Sequence, residues 1–369
     1  MTIKIRDKKI GADEPCFIIA EIGINHNNKI EIAKKMIDAA ADAGCDAVKF
    51  QAFKAERMYP KSAGNIDWKD KDKEYSYDIF EANKSFEVPD NWWPELQKSA
   101  HKHGMAFFAS VCDEITGSKI IKYLDLVKTT SFAITHLPLL KNLAKCNKPL
   151  IFSTGTATIG EVEEAYDAIK NLNKDIIIMH CVSEYPTLLE NINIATIDML
   201  KEKFPNAIIG FSDHSEEIYG AGVAAIAHGA KVIEKHITLD RKMKGPDHFF
   251  ALEPEMLKKM VAEIRNTEEL IRKNKHIEIN PKLIGSKNRK LSEKEEYMRV
   301  FARRSVMMKR AMNEGEKLTE DDIIVLRNGK KKPGLAPKWY DIISEGKYAL
   351  TKQVEKEYVL QKEDIKTVN

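Results

Sequence analysis

The sequence predicts an α/β chain that closes eight parallel strands into a (β/α)8 barrel and ends in a small β-rich domain. Three observations carry this reading. Eight short β-branched or apolar runs recur between residues 16 and 238, each followed by a turn signal and a helix-period segment, the pattern of parallel strands joined by helical crossovers. No GxGxxG or P-loop sequence accompanies them, which disfavours a doubly wound sheet with a Gly-rich phosphate loop. After about residue 275 the alternation stops.

In chain order the predicted strands are 16–25 (CFIIAEIGIN), 47–53 (AVKFQAF), 106–111 (AFFASV), 126–131 (LVKTTS), 149–155 (PLIFSTG), 176–183 (IIIMHCVS), 207–214 (AIIGFSDH) and 231–238 (KVIEKHIT). After the first, Ile30, Ala33, Ile37, Ala40 and Ala41 share one helical face, and Gly44 ends that helix. Thr158 and Glu161 form a capping-box pattern opening EVEEAYDAIKNL. The segment 54–95, polar and holding Trp68, Trp92 and Trp93, is too long for an ordinary βα connection and predicts a lid or substrate loop. Residues 276–299 are charged and proline-containing, as linkers are, so a barrel domain is expected over 1–275 and a second domain over 300–369. In that tail RSVMMK, DIIVLR, YALTK and EYVLQ predict short strands of a unit too small to be very stable alone.

Composition narrows the function. With 59 Lys+Arg against 56 Asp+Glu the net charge is only +3, which argues against a protein built around nucleic-acid phosphates but leaves room for a small anionic substrate. Hydrophobic residues at 43% are enough for a large core. Five scattered cysteines without a CxxC pair suit neither a disulfide framework nor a zinc ribbon and read as reduced thiols. The opening MTIKIRDKKI has no apolar core of a signal peptide, and no run approaches the ~20 apolar residues of a membrane span, so a cytoplasmic protein without membrane contact is expected.

The strand ends are polar. Buried strands hold polar groups only at a cost, whereas residues at the C-terminal ends of barrel strands face the pocket. The ends supply Glu21, Asn25 and His26; Lys49 and Gln51; Ser110; Lys128 and Ser131; Ser153; His180, Ser183 and Tyr185; Ser212 and His214; and Glu234, Lys235 and His236. Lys49 and Lys128 with Ser131, Ser153 and Ser212 suit a small polyanion carrying phosphate and carboxylate, or else each lysine pairs with a local carboxylate such as Glu21. His214 and His236 end adjacent strands and offer either an open divalent-metal site or hydrogen bonds. Asp247 and His248, on the turn after the last strand, either complete the site or cap the next helix.

Seven ordered motifs resemble the sialic acid synthase family, which includes the N-acetylneuraminate, legionaminate and pseudaminate synthases. They are FIIAEIGINHN (17–27), AVKFQ (47–51), STGTAT (153–158), HCVSEYPT (180–187), IGFSDHS (209–215), EKHITLD (234–240) and KGPDHFFALEP (244–254). VFARRS (300–305), EGEKLTEDDI (314–323) and PGLAPKWY (333–340) resemble that family's C-terminal SAF domain, an antifreeze-like β-clip fold.

The resemblance implies condensation of phosphoenolpyruvate with an open-chain N-acetylmannosamine-type aldehyde, releasing phosphate and a nine-carbon 2-keto acid. By carry-over, Lys49, Lys128, Ser131, Ser153 and Ser212 would hold phosphoenolpyruvate. His214 and His236 would hold a divalent ion, Mn²⁺ with Mg²⁺ or Co²⁺ as alternatives. Gln51, Tyr185 and Asp247 would contact the sugar. A homodimer with exchanged SAF domains is implied, in which Arg327 reaches the partner's sugar. Glu21 is the expected general acid/base, because a proton must reach or leave an oxygen at each step. Departures concern the acceptor side. The family usually has a glutamate two residues after the strand-four serine, where this chain has Ser131-Phe132-Ala133. Strand three usually ends Ser-Thr-Pro-Phe, but here it reads Ala109-Ser110-Val111-Cys112, and about three extra residues follow Arg327 before the Gly334–Pro337 element. PDH at 246–248 and HCVSEYP lean toward the neuraminate and legionaminate branches. Two other readings are a related condensation on a sugar phosphate and a silent family member that binds a sugar or a partner.

Overall fold

The computed structural model describes residues 1–70 and 73–368, with side chains outside 67–75. All eight predicted regions form strands: β1 (Phe17–Gly23), β2 (Ala47–Ala52), β3 (Ala106–Val111), β4 (Leu126–Thr129), β5 (Leu150–Ser153), β6 (Ile176–Cys181), β7 (Ile208–Asp213) and β8 (Val232–His236). Sequential strands pair in parallel, and β8 closes on β1 with Val232 opposite Phe17 and His236 opposite Glu21. The result is a closed barrel. Helices cover its outer face and side chains fill its interior, which is why the strands are almost wholly buried and read as near-continuous apolar runs.

The helix Ile30–Asp42 buries Ala33, Met36, Ile37 and Ala40, and the chain leaves it through Gly44 at φ +83°, where a side chain would be strained. Thr158 and Glu161 form the predicted reciprocal cap on the helix Ile159–Ile169. At the opposite end of the barrel an N-terminal hairpin, Thr2–Ile5 with Lys8–Gly11, buries Ile3, Ile5 and Ile10 in the main core. Lys8 reaches Asp46 at 2.7 Å and Arg6 reaches Asp125 at 3.7 Å. Those aspartates immediately precede β2 and β4, so the hairpin covers the end of the barrel away from the polar strand ends.

The long connection after β2 is more structured than a loop. It contains the helix Ala55–Met58, a hairpin of Asn65–Asp70 with Lys73–Asp78, and the helix Ile79–Ser85. Trp93 is not on a lid: it begins the helix Trp93–Lys102 and is buried against Phe107, while Trp92 contacts His26. The Trp68 side chain is outside the described residues.

Beyond the last barrel helix, Pro254–Arg272, the chain runs over its own barrel. The short helix Pro281–Ile284 hands its carbonyls to Ile194 and Ala195, the Ser286 N–H donates to Asn193, and the helix Glu293–Ala302 follows. Strands Arg304–Met308 and Ile323–Arg327 pair antiparallel, as do Tyr348–Leu350 and Ile365–Thr367. The predicted strand at 357–361 is reduced to an isolated bridge from Val359 to Met307, and Ile365–Thr367 takes its place beside Tyr348–Leu350. This region has its own apolar core, including Val306, Leu318, Ile323, Ile343 and Leu350. A separate apolar seam joins Phe301 and Ala302 to Ile24, Phe53, Tyr59 and Phe132 at the barrel mouth. All five cysteines are free. No helix among the described residues is long and apolar enough to cross a membrane.

Candidate active site

Strand alternation decides which polar ends meet. Side chains two apart share a face, so Glu234 and His236 point into the barrel mouth, while Lys235 points outward to Asp213 at 2.7 Å and the Ser215 carbonyl. On β1 the pairing with β2 shifts between Glu21 and Gly23, whose φ of +55° lets the strand bend there and directs Glu21 inward.

Four charged side chains lock together at the centre. Lys49 Nζ lies 2.8 Å from Glu21 Oε1 and 3.5 Å from Glu234 Oε1, and it donates to Ser110 Oγ at 2.9 Å. Lys128 Nζ donates to the same Glu234 oxygen at 2.6 Å, and Ser212 Oγ donates to it at 3.2 Å. Burial opposes the charge on Glu234, but Lys128 and Lys49 outweigh it and hold the carboxyl at about 2. Burial wins at Glu21, whose carboxyl is raised above its ordinary value despite Lys49. The lysines thus follow the second expectation: each has a carboxylate partner, and both converge with Ser212 on one oxygen of Glu234.

Around that centre, Ser131 Oγ accepts the Gly155 N–H at 3.2 Å, and the Ser153 and Ser183 hydroxyls are buried without a hydrogen-bond partner among the described residues. Gly155 permits a close approach here, since a Cβ would sit 2.1 Å from Ser183 Oγ. Glu21 Oε2 and Glu234 Oε2 are likewise buried and unpartnered. Buried polar atoms cost free energy unless something satisfies them, so these groups mark where a polar ligand would sit.

His214 and His236 stand side by side with ring centroids 5.4 Å apart, backed by Phe250. His214 Nδ1 is 2.8 Å from the Val182 carbonyl, a contact that assigns a proton to Nδ1, and although burial opposes the charge, Cys181 and that carbonyl raise the pKa of the ring, so Nε2 offers a lone pair only in the neutral form. His236 Nδ1 is buried without a hydrogen bond, and burial and His214 hold this imidazole neutral, its pKa well below the ordinary value. Asp247 Oδ2 lies 3.7 Å from it, and burial and Glu21 lift the Asp247 carboxyl to about 6. No cluster of three or more such ligands occurs among the described residues, so the protein's donor set here is two imidazoles. That set fits an open divalent-metal site.

The remaining predicted residues divide. Gln51 Nε2 donates to Glu21 Oε1 at 3.3 Å, and the Tyr185 ring packs on His214 at 4.4 Å. Asn25 holds the turn after β8 by donating to the Ile237 and Asp247 carbonyls. His26, His180 and His248 have local partners: His26 Nδ1 accepts the Asn28 N–H, His180 Nε2 bonds the Ile192 carbonyl and His248 Nδ1 bonds Thr238, while His26 Nε2 and His180 Nδ1 are buried without a partner among the described residues. Ala133 is buried and brings no carboxylate. Arg327 stacks over Phe132 at 5.0 Å and Tyr59 at 5.6 Å of its own chain. Ser286, Glu295 and Arg303, on the segment before it, bond to Asn193 and Thr156 of the same chain. Glu234 was visible in sequence only as a polar strand end, and its spacing two residues before His236 was the available signal of an inward face.

Residues 36–276 match the NeuB family. The spore coat polysaccharide biosynthesis protein SpsE of Bacillus subtilis is 43% identical over 345 residues, covering 93% of this chain and 92% of the relative. The N,N'-diacetyllegionaminic acid synthase of Legionella pneumophila is 33% identical over 336 residues, covering 89% of each. The crystal structure of Bacillus subtilis SpsE superposes with a TM-score of 0.88 at 40% identity, covering 100% of both chains. The chain therefore belongs to the NeuB family, the sialic acid synthases that its motifs resemble.

Proposed function

We propose that this protein condenses phosphoenolpyruvate with the open-chain aldehyde of an N-acetylmannosamine-type sugar, giving a nonulosonic acid and phosphate. The observation that carries this is the convergence of Lys49, Lys128 and Ser212 on one buried oxygen of Glu234, beside two imidazoles, in a chain of this family. Phosphate and carboxylate oxygens take the lysines, Ser131, Ser153 and Ser212 as partners. Lys49 and Lys128 against Glu21 and Glu234 make the cluster itself neutral, so an arriving polyanion favours the protonated form of Glu21, which burial already favours. Glu21 then gives its proton to the aldehyde oxygen as enol C3 attacks, and takes one from the water that adds at C2. Collapse of the resulting tetrahedral centre forms the C2 keto group and breaks the C2–O bond to phosphate, which leaves with the proton of the C2 hydroxyl. His214 and His236 would hold a divalent ion such as Mn²⁺, which when bound polarises the aldehyde oxygen.

Gln51, Tyr185 and Asp247 line the sugar side, and the C-terminal region, read as a SAF domain, closes it with Arg327. The cis contacts of 280–303, together with a superposition on SpsE that spans both chains, favour closure over the same chain's barrel rather than exchange between subunits. Chains carrying Arg327→Ala mixed with chains carrying Lys49→Ala should accordingly show no more turnover than the two alone. Recovery in verified mixed oligomers would show exchange.

Ala133 favours a changed acceptor as the second reading, since it leaves the sugar hydroxyls without a carboxylate partner there. Phosphate release from phosphoenolpyruvate, with Mn²⁺ or EDTA, tests the proposal against N-acetylmannosamine, its 2,4-diacetamido-6-deoxy analogue, mannose and a pentose phosphate. Release with an acetamido sugar and loss with EDTA is expected. Release only with the pentose phosphate would move the activity to the sugar-phosphate condensations.

A further inference from the structure

The charged segment before the C-terminal strands converges on one barrel residue, Thr156. This residue lies just beyond Ser153 at the end of β5, is fully buried, and is held at φ +57°, a left-handed conformation that a β-branched residue rarely adopts. Its N–H donates to Glu295 Oε1 at 3.0 Å, and its carbonyl accepts from Arg299 Nη1 at 2.7 Å and Arg303 Nη2 at 2.8 Å. The same Glu295 oxygen accepts the Ser183 N–H at 3.0 Å, so one carboxylate bridges the loops after β5 and β6. Arg289 pairs with Glu295 through both Nη atoms and reaches the Cys181 carbonyl at 3.2 Å. Glu161 receives both guanidinium groups of Arg299 and Arg303. Burial opposes the charge on Glu295, but Arg289 and the two N–H groups hold it below the ordinary carboxylate range.

What this clamp fixes is the spacing of hydroxyls. Between Ser153 and Thr156, Gly155 approaches so closely that a Cβ would lie 2.8 Å from Ser131 Oγ and 2.1 Å from Ser183 Oγ. Shifts of a few tenths of an ångström in this loop therefore change how Ser131, Ser153 and Ser183 face a shared ligand. We infer that Glu295 is a positioning residue for the phosphate half of the site, so that the segment after the barrel helps build the phosphoenolpyruvate pocket of its own chain. This rests on the reading of the lysine and serine cluster given above.

Calorimetric titration of the full-length protein with phosphoenolpyruvate reads binding apart from turnover, and steady-state kinetics reads KM for each substrate. Glu295→Gln retains the shape but gives up the charge that holds Arg289 and two N–H groups. Its Kd and KM for phosphoenolpyruvate should rise about tenfold or more, with KM for the sugar within about twofold of wild type. Arg303→Lys, which keeps the charge but loses the forked contact to Thr156 and Glu161, should show the same selective weakening and serves if Glu295→Gln does not fold. A purely structural role would instead lower Tm and kcat together and leave both KM values in place, which would overturn the inference. Wild-type protein that binds phosphoenolpyruvate while both variants bind it equally well would also overturn it alone. Wild-type protein that binds none would overturn the reading of the site beneath it.

Discussion

Replacing Lys128 by alanine should lower kcat/KM for phosphoenolpyruvate by about two to four orders of magnitude. Lys128 is 3% exposed and its ammonium lies 2.6 Å from Glu234. Truncating one partner of a buried, hydrogen-bonded charge pair costs binding about 2–5 kcal/mol, much of it because the other charge is left under-compensated, and each 1.36 kcal/mol is tenfold. In Lys128→Ala, Glu234 keeps only Lys49 at 3.5 Å and Ser212, so its carboxylate faces the incoming phosphate with one counter-charge fewer. Steady-state kinetics with a saturating sugar measures the effect. A loss under tenfold would mean that Lys128 is a structural partner of Glu234 and that the anion binds elsewhere.

His214→Ala should bring turnover down to that of EDTA-treated wild type, and added Mn²⁺ should not restore it. Lewis-acid polarisation of a carbonyl is worth several kcal/mol, so a fall of roughly three orders of magnitude is expected. The Nδ1 contact with the Val182 carbonyl makes Nε2 the atom that a metal would take, and His236 stands beside it with ring centroids 5.4 Å apart. Phosphoenolpyruvate binding should stay close to wild type in this variant, since the lysine cluster is intact. Wild-type rates in a metal-titrated assay would reduce the two histidines to hydrogen-bonding groups.

The barrel was legible in sequence because its strands are buried on both faces, and such strands must be apolar along their lengths. Lys49, Lys128 and His236 stood out for the same reason: charge inside an apolar run is costly, and its place at a strand end marks the pocket. The pairing of those charges was not legible, because Lys128 and Glu234 are 106 residues apart and no local pattern links them. Glu295 was hidden by a different cause. Its neighbours SEKEEYM read as part of a charged linker, and only a contact with Thr156 across 139 residues turns that carboxylate inward. Trp93 likewise reads as loop until the helix it opens is packed on Phe107. The stacking of Arg327 on Phe132 and Tyr59 depends on the course of a connecting segment, which side-chain periodicity does not encode.

Carbon–carbon bond formation is the central claim, and phosphoenolpyruvate labelled with carbon-13 at C3 tests it most directly, by NMR of the reaction with Mn²⁺ and an N-acetylmannosamine-type sugar. The account predicts that the label becomes a methylene joined to the former aldehyde carbon of the sugar. A label recovered as the methyl group of pyruvate would mean that the site only hydrolyses phosphoenolpyruvate, and would contradict it.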